Sequence, residues 1–272
     1  MTDFPAPGKL NLFLHVLGRR PDGYHELQTV FRLVDRADRI RIVPREDGEL
    51  RFAGPFGDEN LCLRAARVLK QETGSRLGAE IALQKTLPVG GGMGGGSSDA
   101  ATVLLALNRQ WKLSLKRSRL QEIGASLGAD VPFFLFGRSA LGEGTGEKLS
   151  PLDLPPAWYL VLTPQVTVST KEIFARALTG QSKPLKIPPF FPGRGQNDLE
   201  SIVTTRYPEV AASLAWLKER CAQARMTGSG ACVFAEFATE TEARAIQSQM
   251  PRGMDGFVAQ GLDRHPLYDW TE

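Results

Sequence analysis

Cysteine and histidine are both scarce, three of each in 272 residues, and Cys62, Cys221 and Cys232 form no C-x-x-C pair, so neither a disulfide framework nor a zinc site is expected. Reduced, mostly buried thiols are the expectation. No run approaches the ~20 predominantly apolar residues that a membrane-spanning helix needs. Residues 1–7 carry neither the basic nor the apolar stretch of a secretory signal, which points to a cytoplasmic location and no membrane partner. Charge of one sign is lacking as well. With 33 basic and 30 acidic residues the formal net charge is +3, too near balance for a nucleic-acid partner and compatible with a small anionic substrate. No internal repeat is present. A hydrophobic content of 42% at this length suits one large or two modest domains with a proper core.

Glycine, by contrast, is concentrated. Gly90, Gly91, Gly92, Gly94, Gly95 and Gly96 are interrupted only by Met93, and Ser97, Ser98 and Asp99 follow. Without Cβ atoms, the amides of such a loop can close on an anion. Ala100, Val103, Leu104 and Leu107 then begin a helical apolar stripe. A glycine loop opening a helix is a phosphate cradle, because the helix N-terminus carries about half a positive charge. The G-x-x-x-x-G-K-[ST] pattern fails, since Ser97 stands where lysine is required. Gly90, Gly92 and Gly95 satisfy G-x-G-x-x-G, but no acid lies between Asp99 and Glu122 to hold a dinucleotide ribose. The loop therefore suits a di- or triphosphate, with Ser97 and Ser98 placed to cap the helix or to ligate Mg²⁺.

Strand-like runs at residues 10–16, 39–43 and 80–84 alternate with helical ones at 61–71, 97–107 and 117–127. The proline-rich segment 150–156 interrupts this order and divides the chain into a lobe at 1–150 and another at 151–272. In the second lobe, strands are expected at 158–162 and 231–237 and helices at 171–178, 208–221 and 241–250. The Pro-, Gly- and Lys/Arg-rich stretch 183–196 is expected to be a mobile surface loop.

Four further segments hold candidate side chains. In residues 7–16, Leu10, Leu12, Leu14 and Val16 alternate with Lys9, Asn11, Phe13 and His15, so Lys9 and Asn11 share a strand face. Lys9 is either a solvated strand lysine or a site residue. Tyr24 and His25 follow the Pro21-Asp22-Gly23 turn and suit either a base-binding pair or plain packing. Asp130 stands at the edge of an apolar stretch as either a helix cap or a proton acceptor. Gly228, Ser229 and Gly230 make a second glycine turn ahead of an apolar run.

In order and spacing, residues 7–11, 87–98 and 227–231 resemble the three motifs of the GHMP small-molecule kinases. The resemblance covers the whole chain. It implies an α+β, two-lobed fold, with an N-terminal ribosomal-S5-domain-2-like lobe, a C-terminal ferredoxin-like lobe and the active site in the cleft between. It also implies ATP as phosphoryl donor, used with Mg²⁺. The segments 20–28, 128–133 and 228–234 are similar to the branch of this family that phosphorylates the 2-hydroxyl of a cytidine-diphosphate sugar alcohol in the non-mevalonate isoprenoid pathway. By position, that resemblance makes Asp130 the base, with Lys9 beside the acceptor hydroxyl. Asn11, Tyr24, His25, Phe174 and the turn Gly228, Ser229 and Gly230 would hold the substrate. Pro88, the loop from Gly90 to Ser98 and Asn60 would hold ATP. No protein cage for a metal is implied, and assembly is expected to go no further than a monomer or weak homodimer.

Overall fold

The computed structural model describes residues 2–177 and 195–271; most of the expected loop at 183–196 lies outside them. Its first element is a long antiparallel pair, β1 (Thr2–Arg19) and β2 (His25–Arg45), closed by the turn in which Gly23 adopts φ 89°. The strand expected at 10–16 is thus the middle of a much longer one. The register slips between Pro7 and Gly8 and again between Asn11 and Leu14. A proline has no N–H for the ladder, and each bulge re-aims the side chains beyond it.

The other edge of β2 is shared. Its second half pairs with β4 (Gly78–Gln84), to which the edge strand β3 (Leu50–Ala53) is added in parallel. Its first half pairs with β5 (Ala140–Gly144), which carries β6 (Lys148–Pro151). On this sheet pack α1 (Leu61–Thr73), α2 (Gly95–Gln110), α3 (Arg117–Ala125) and the short α4 (Val131–Phe136). Every residue of α2 from Ser98 to Asn108 is buried, so this is an inner helix, in keeping with its small and aliphatic composition.

After the irregular stretch 152–157 comes a second sheet. Its order is β8 (Arg225–Met226), β9 (Val233–Phe237), β7 (Trp158–Leu162) and β10 (Gly256–Leu262). It is accompanied by α5 (Thr170–Ala175), α6 (Glu200–Arg206), α7 (Pro208–Lys218) and α8 (Glu240–Gln247), the last closed by a Thr239–Glu242 capping box. The architecture is α+β. The end of β10 pairs with β2, Gly261 opposite Val34 and Leu262 opposite Leu33, so the two sheets are continuous. Beyond it the chain returns to the first sheet, where Leu267 joins the helical core and His265 N–H donates to the Gly137 carbonyl.

One asparagine ties β1 to the turn that precedes β9. Asn197 bridges to Leu14, donates from Nδ2 to the carbonyls of Met226 and Gly228 at 2.9 and 2.8 Å, and accepts from Leu199 N–H. Asn197→Ala leaves three backbone groups without this partner, and each buried group so orphaned costs ~1–3 kcal/mol. Urea unfolding of the variant is expected to show a stability lower by about 3 kcal/mol or more at an unchanged denaturant slope; a loss below about 1 kcal/mol contradicts this assignment.

Candidate functional site

The glycine loop lies between the two halves of the molecule and is bonded to both. Lys9 N–H of β1 donates to Met93 O at 3.0 Å, while Ala231 and Cys232 donate to the carbonyls of Gly90 and Gly91. The approach is too close for side chains. A Cβ on Gly92, at φ 77°, would stand 2.3 Å from Thr227 O, and one on Gly94, at φ 69°, would meet the Phe134 ring and Lys9 Cε. Gly95 and Gly96 form the first turn of α2, whose N-cap is Gly94, with no side-chain cap. The N-terminal amides of α2 are therefore bare toward the loop.

The neighbouring serines differ. Ser97 lines the cavity beside the loop, whereas Ser98 is buried and donates to Pro7 O at 2.7 Å. Ser98 thus fixes β1 against α2 and does not reach the cavity surface. Neither serine caps the helix.

Lys9 is 4% exposed, and its ammonium has both polar and aromatic partners. Nζ donates to Asn11 Oδ1, lies 3.5 Å from Asp130 Oδ2 and sits 5.5 Å from the centre of the Phe31 ring. Phe31 in turn stacks on Phe133 of α4, ring centres 4.6 Å apart, which holds the helix carrying Asp130 at its start. Asp130 occupies the N-cap position of α4 without making a side-chain cap bond, so the capping alternative gives way to pairing with Lys9. Asn11 is oriented from three sides: Nδ2 donates to Thr29 Oγ1, its backbone N–H to Thr227 Oγ1, and Oδ1 accepts from Lys9.

These residues line one cavity of about 550 Å³, within the usual range for small-molecule sites. One end holds Lys9, Asn11, Asp130, Thr170, Phe174, Gly228 and Ser229. Ser229 Oγ and Thr170 Oγ1 are hydrogen bonded, 2.7 Å apart, which joins the second glycine turn to α5. His25 and Phe174 face each other with ring centres 5.6 Å apart at 42°, and Tyr24 beside them is 65% exposed. Burial, with Arg19 nearby, holds the His25 imidazole below its ordinary value. Gly230 is not on the cavity wall; it donates to Thr227 O within the turn. At the far end stand Pro88 and Asn60, whose side chain caps α1 by accepting from Cys62 N–H and donating to Pro55 O.

A cluster with no sequence signature underlies the start of α2. Lys85 Nζ is held by Asp38 and by Asp99, the latter at 2.8 Å, and Asp38 also accepts from the N–H groups of Thr86 and Leu87. Burial lowers Lys85, but the two carboxylates outweigh it and keep the ammonium above its ordinary value. These residues come from β2, the end of β4 and α2, so no spacing could have announced them. Only Asp99 belonged to a recognisable motif.

Among the described residues, no helix is long and apolar enough to cross a membrane. The glycine loop that opens a buried helix, with Lys9 and Asp130 on the wall of the same cavity, suits a small-molecule kinase. Models of the GHMP kinases match the chain in two places, the N terminal domain at residues 60–138 and the C terminal at 192–256. A 4-diphosphocytidyl-2-C-methyl-D-erythritol kinase of Nitrosospira multiformis is 58% identical over 98% of this chain and 94% of its own length; one from Thiobacillus denitrificans is 57% identical over 98% of each. The crystal structure of a 4-(cytidine 5'-diphospho)-2C-methyl-D-erythritol kinase superposes with a TM-score of 0.85 at 35% identity, covering 96% of this chain and 99% of that one. The chain belongs to the 4-diphosphocytidyl-2-C-methyl-D-erythritol kinase family of GHMP kinases.

Burial raises the Asp99 carboxyl to about 7, with Lys85 opposing the rise. An unfolded aspartate titrates near 3.9, so the stability this group contributes is complete below about pH 4 and is lost as pH rises through 7. Asp99→Asn removes that loss. The Tm of the variant minus that of the wild type is expected to climb from pH 4 to pH 7, and a difference that stays flat contradicts the placement of a buried carboxyl here.

Proposed function

We propose that the chain transfers the γ-phosphoryl group of ATP to the 2-hydroxyl of 4-diphosphocytidyl-2-C-methyl-D-erythritol, giving the 2-phosphate and ADP. The single observation that carries the reading is the Lys9–Asp130 pair, 3.5 Å apart on the wall of the same cavity as the glycine cradle. The substrate class comes from the close relatives; His25 and Phe174, in direct ring contact, offer aromatic surface on which a pyrimidine can stack. We assign the donor site to the lobe at 1–150 and the second wall of the cleft to the lobe at 151–272.

Phosphoryl transfer asks a protein for alignment and charge neutralisation more than for covalent work. The bare amides of α2 and the loop receive the phosphates. The acceptor hydroxyl lies between Lys9 and Asp130; its oxygen bonds to phosphorus as the bond to ADP breaks, and its proton goes to Asp130. A carboxylate is a far weaker base than an alkoxide, so the proton leaves late, as the oxygen–phosphorus bond forms. Lys9, held by Asn11, faces the charge that develops on that oxygen.

Among the described residues no group of three or more His, Cys, Asp or Glu side chains converges. Mg²⁺ would be carried by triphosphate oxygens and water, and the Ser97 hydroxyl, on the cavity wall beside the loop, is the protein group able to join them. When bound, the ion supplies neutralisation of phosphate charge.

Purified protein given Mg-ATP and a panel of cytidylyl alcohol, mevalonate and homoserine is expected to phosphorylate the first alone, read by product mass. Phosphorylation of an uncapped alcohol in its place overturns the substrate assignment. Asp130→Ala is expected to lower kcat by about 10² to 10⁴. Lys9→Met should lower kcat with little change in the KM of the alcohol, as befits a group acting mainly in the transition state. A variant at Asp130 that keeps more than a tenth of wild-type turnover removes it from the role of base.

A further inference from the structure

Thr29 of β2 is 1% exposed, lines the cavity and brings no charge to the transfer. Its hydroxyl has one proton to give. The register of β1 against β2 slips between Asn11 and Leu14, which brings the Phe13 carbonyl within reach, and Thr29 Oγ1 donates to it. A carbonyl oxygen only accepts, so that proton is committed and the Thr29 oxygen turns lone pairs toward Asn11. The group of the Asn11 side chain that can answer a lone pair is the amide nitrogen, and Nδ2 donates to Thr29 Oγ1 at 2.8 Å. Oδ1 then points the other way, at Lys9 Nζ, which donates to it. The hydrogen bonds thus run in one sense from Lys9 through Asn11 and Thr29 to the main chain of β1.

The reverse orientation of the amide is opposed at both ends. With Oδ1 toward Thr29, the hydroxyl would have to take its proton from Phe13 O to serve it, and Nδ2 would face an ammonium that has donors only. The sense of the amide matters because of where it leaves Lys9. Nζ lies 3.5 Å from Asp130 Oδ2, beyond the about 2.7–3.2 Å of an N–H···O hydrogen bond. An ammonium and a carboxylate left to themselves close such a gap. The Asn11 carbonyl holds Nζ back and keeps open the place of the acceptor hydroxyl between the two. Without the Thr29 hydroxyl the amide is held from one side, and its turning releases Lys9 onto Asp130.

We propose that Thr29 is a positioning residue of the transfer: its hydroxyl fixes the sense of the Asn11 amide and, through it, the separation of Lys9 from Asp130. The proposal rests on the kinase reading of this cavity and adds to it a residue outside the reacting pair. Thr29→Val keeps the shape and removes the hydroxyl; it is expected to lower kcat about 10- to 100-fold while the KM of ATP and that of the cytidylyl alcohol stay within about twofold of wild type. Thr29→Ser restores the hydroxyl and should bring kcat back to within about threefold of wild type. In an Asn11→Ala background Thr29→Val should cost no further kcat, because its route to Lys9 is already cut, whereas a merely structural loss would add to the first. In the wild-type protein one of the two Asn11 side-chain amide protons, identified by its absence from the spectrum of Asn11→Ala, should exchange slowly with solvent. A loss of kcat under about tenfold in Thr29→Val, a similar loss in the Asn11→Ala background, a rise in the KM of the alcohol beyond about fivefold, or no recovery in Thr29→Ser overturns the proposal and leaves the kinase reading intact. Fast exchange of both amide protons does the same without any change at Thr29. A wild-type protein that forms no ADP with any alcohol overturns both.

Discussion

The molecule turns on three backbone hydrogen bonds to one glycine loop. Lys9 N–H reaches Met93 O from β1, and Ala231 and Cys232 reach Gly90 O and Gly91 O from the turn before β9. Because those bonds bring backbone against backbone, any Cβ at Gly92 would collide with Thr227 O. The same contacts that require glycine also place Lys9 and the second glycine turn beside the start of α2. Structure and site are thus one constraint: the loop cannot be packed between the sheets without also presenting its amides to the cavity.

Burial sets the electrostatics around that loop. Lys85, Asp38 and Asp99 sit under the first turn of α2 with little water, where an unpaired charge would be expensive and a paired one is held rigidly. Lys9 is treated differently. It is more buried than Lys85 and lines the same cavity, but it has a single carboxylate partner, Asp130 at 3.5 Å, beside the Asn11 amide. Two lysines flanking one glycine loop are separated by what each has been given to bind: two carboxylates that compensate the first, and an amide and one partly exposed carboxylate that compensate the second less fully.

Much of the chain's organisation was legible in its sequence. Strand-like runs located the middle of β1, and β4 and β7, and the 3.6-residue period located α1, α2 and α3. Elements with weak local patterns were not foreseen: β3, β6 and β8 are short edge strands, α6 follows the undescribed segment, and β10 gains its definition only by pairing with β7 and β2. Asp130 shows the limit most clearly. Its local sequence suits a helix cap, and the cap position is where it stands, but the side chain turns to a lysine 121 positions earlier.

The sequence by itself determined the glycine loop, the helix it opens and the residue types able to bind phosphate, since backbone freedom and helical periodicity are local properties of the chain. Tertiary structure alone decided that Ser98 faces inward while Ser97 lines the cavity, and that Asp38 and Asp99 share Lys85. Those outcomes depend on which distant segments the sheet register brings together, and burial and charge pairing between such segments leave no mark on the spacing of residues along the chain.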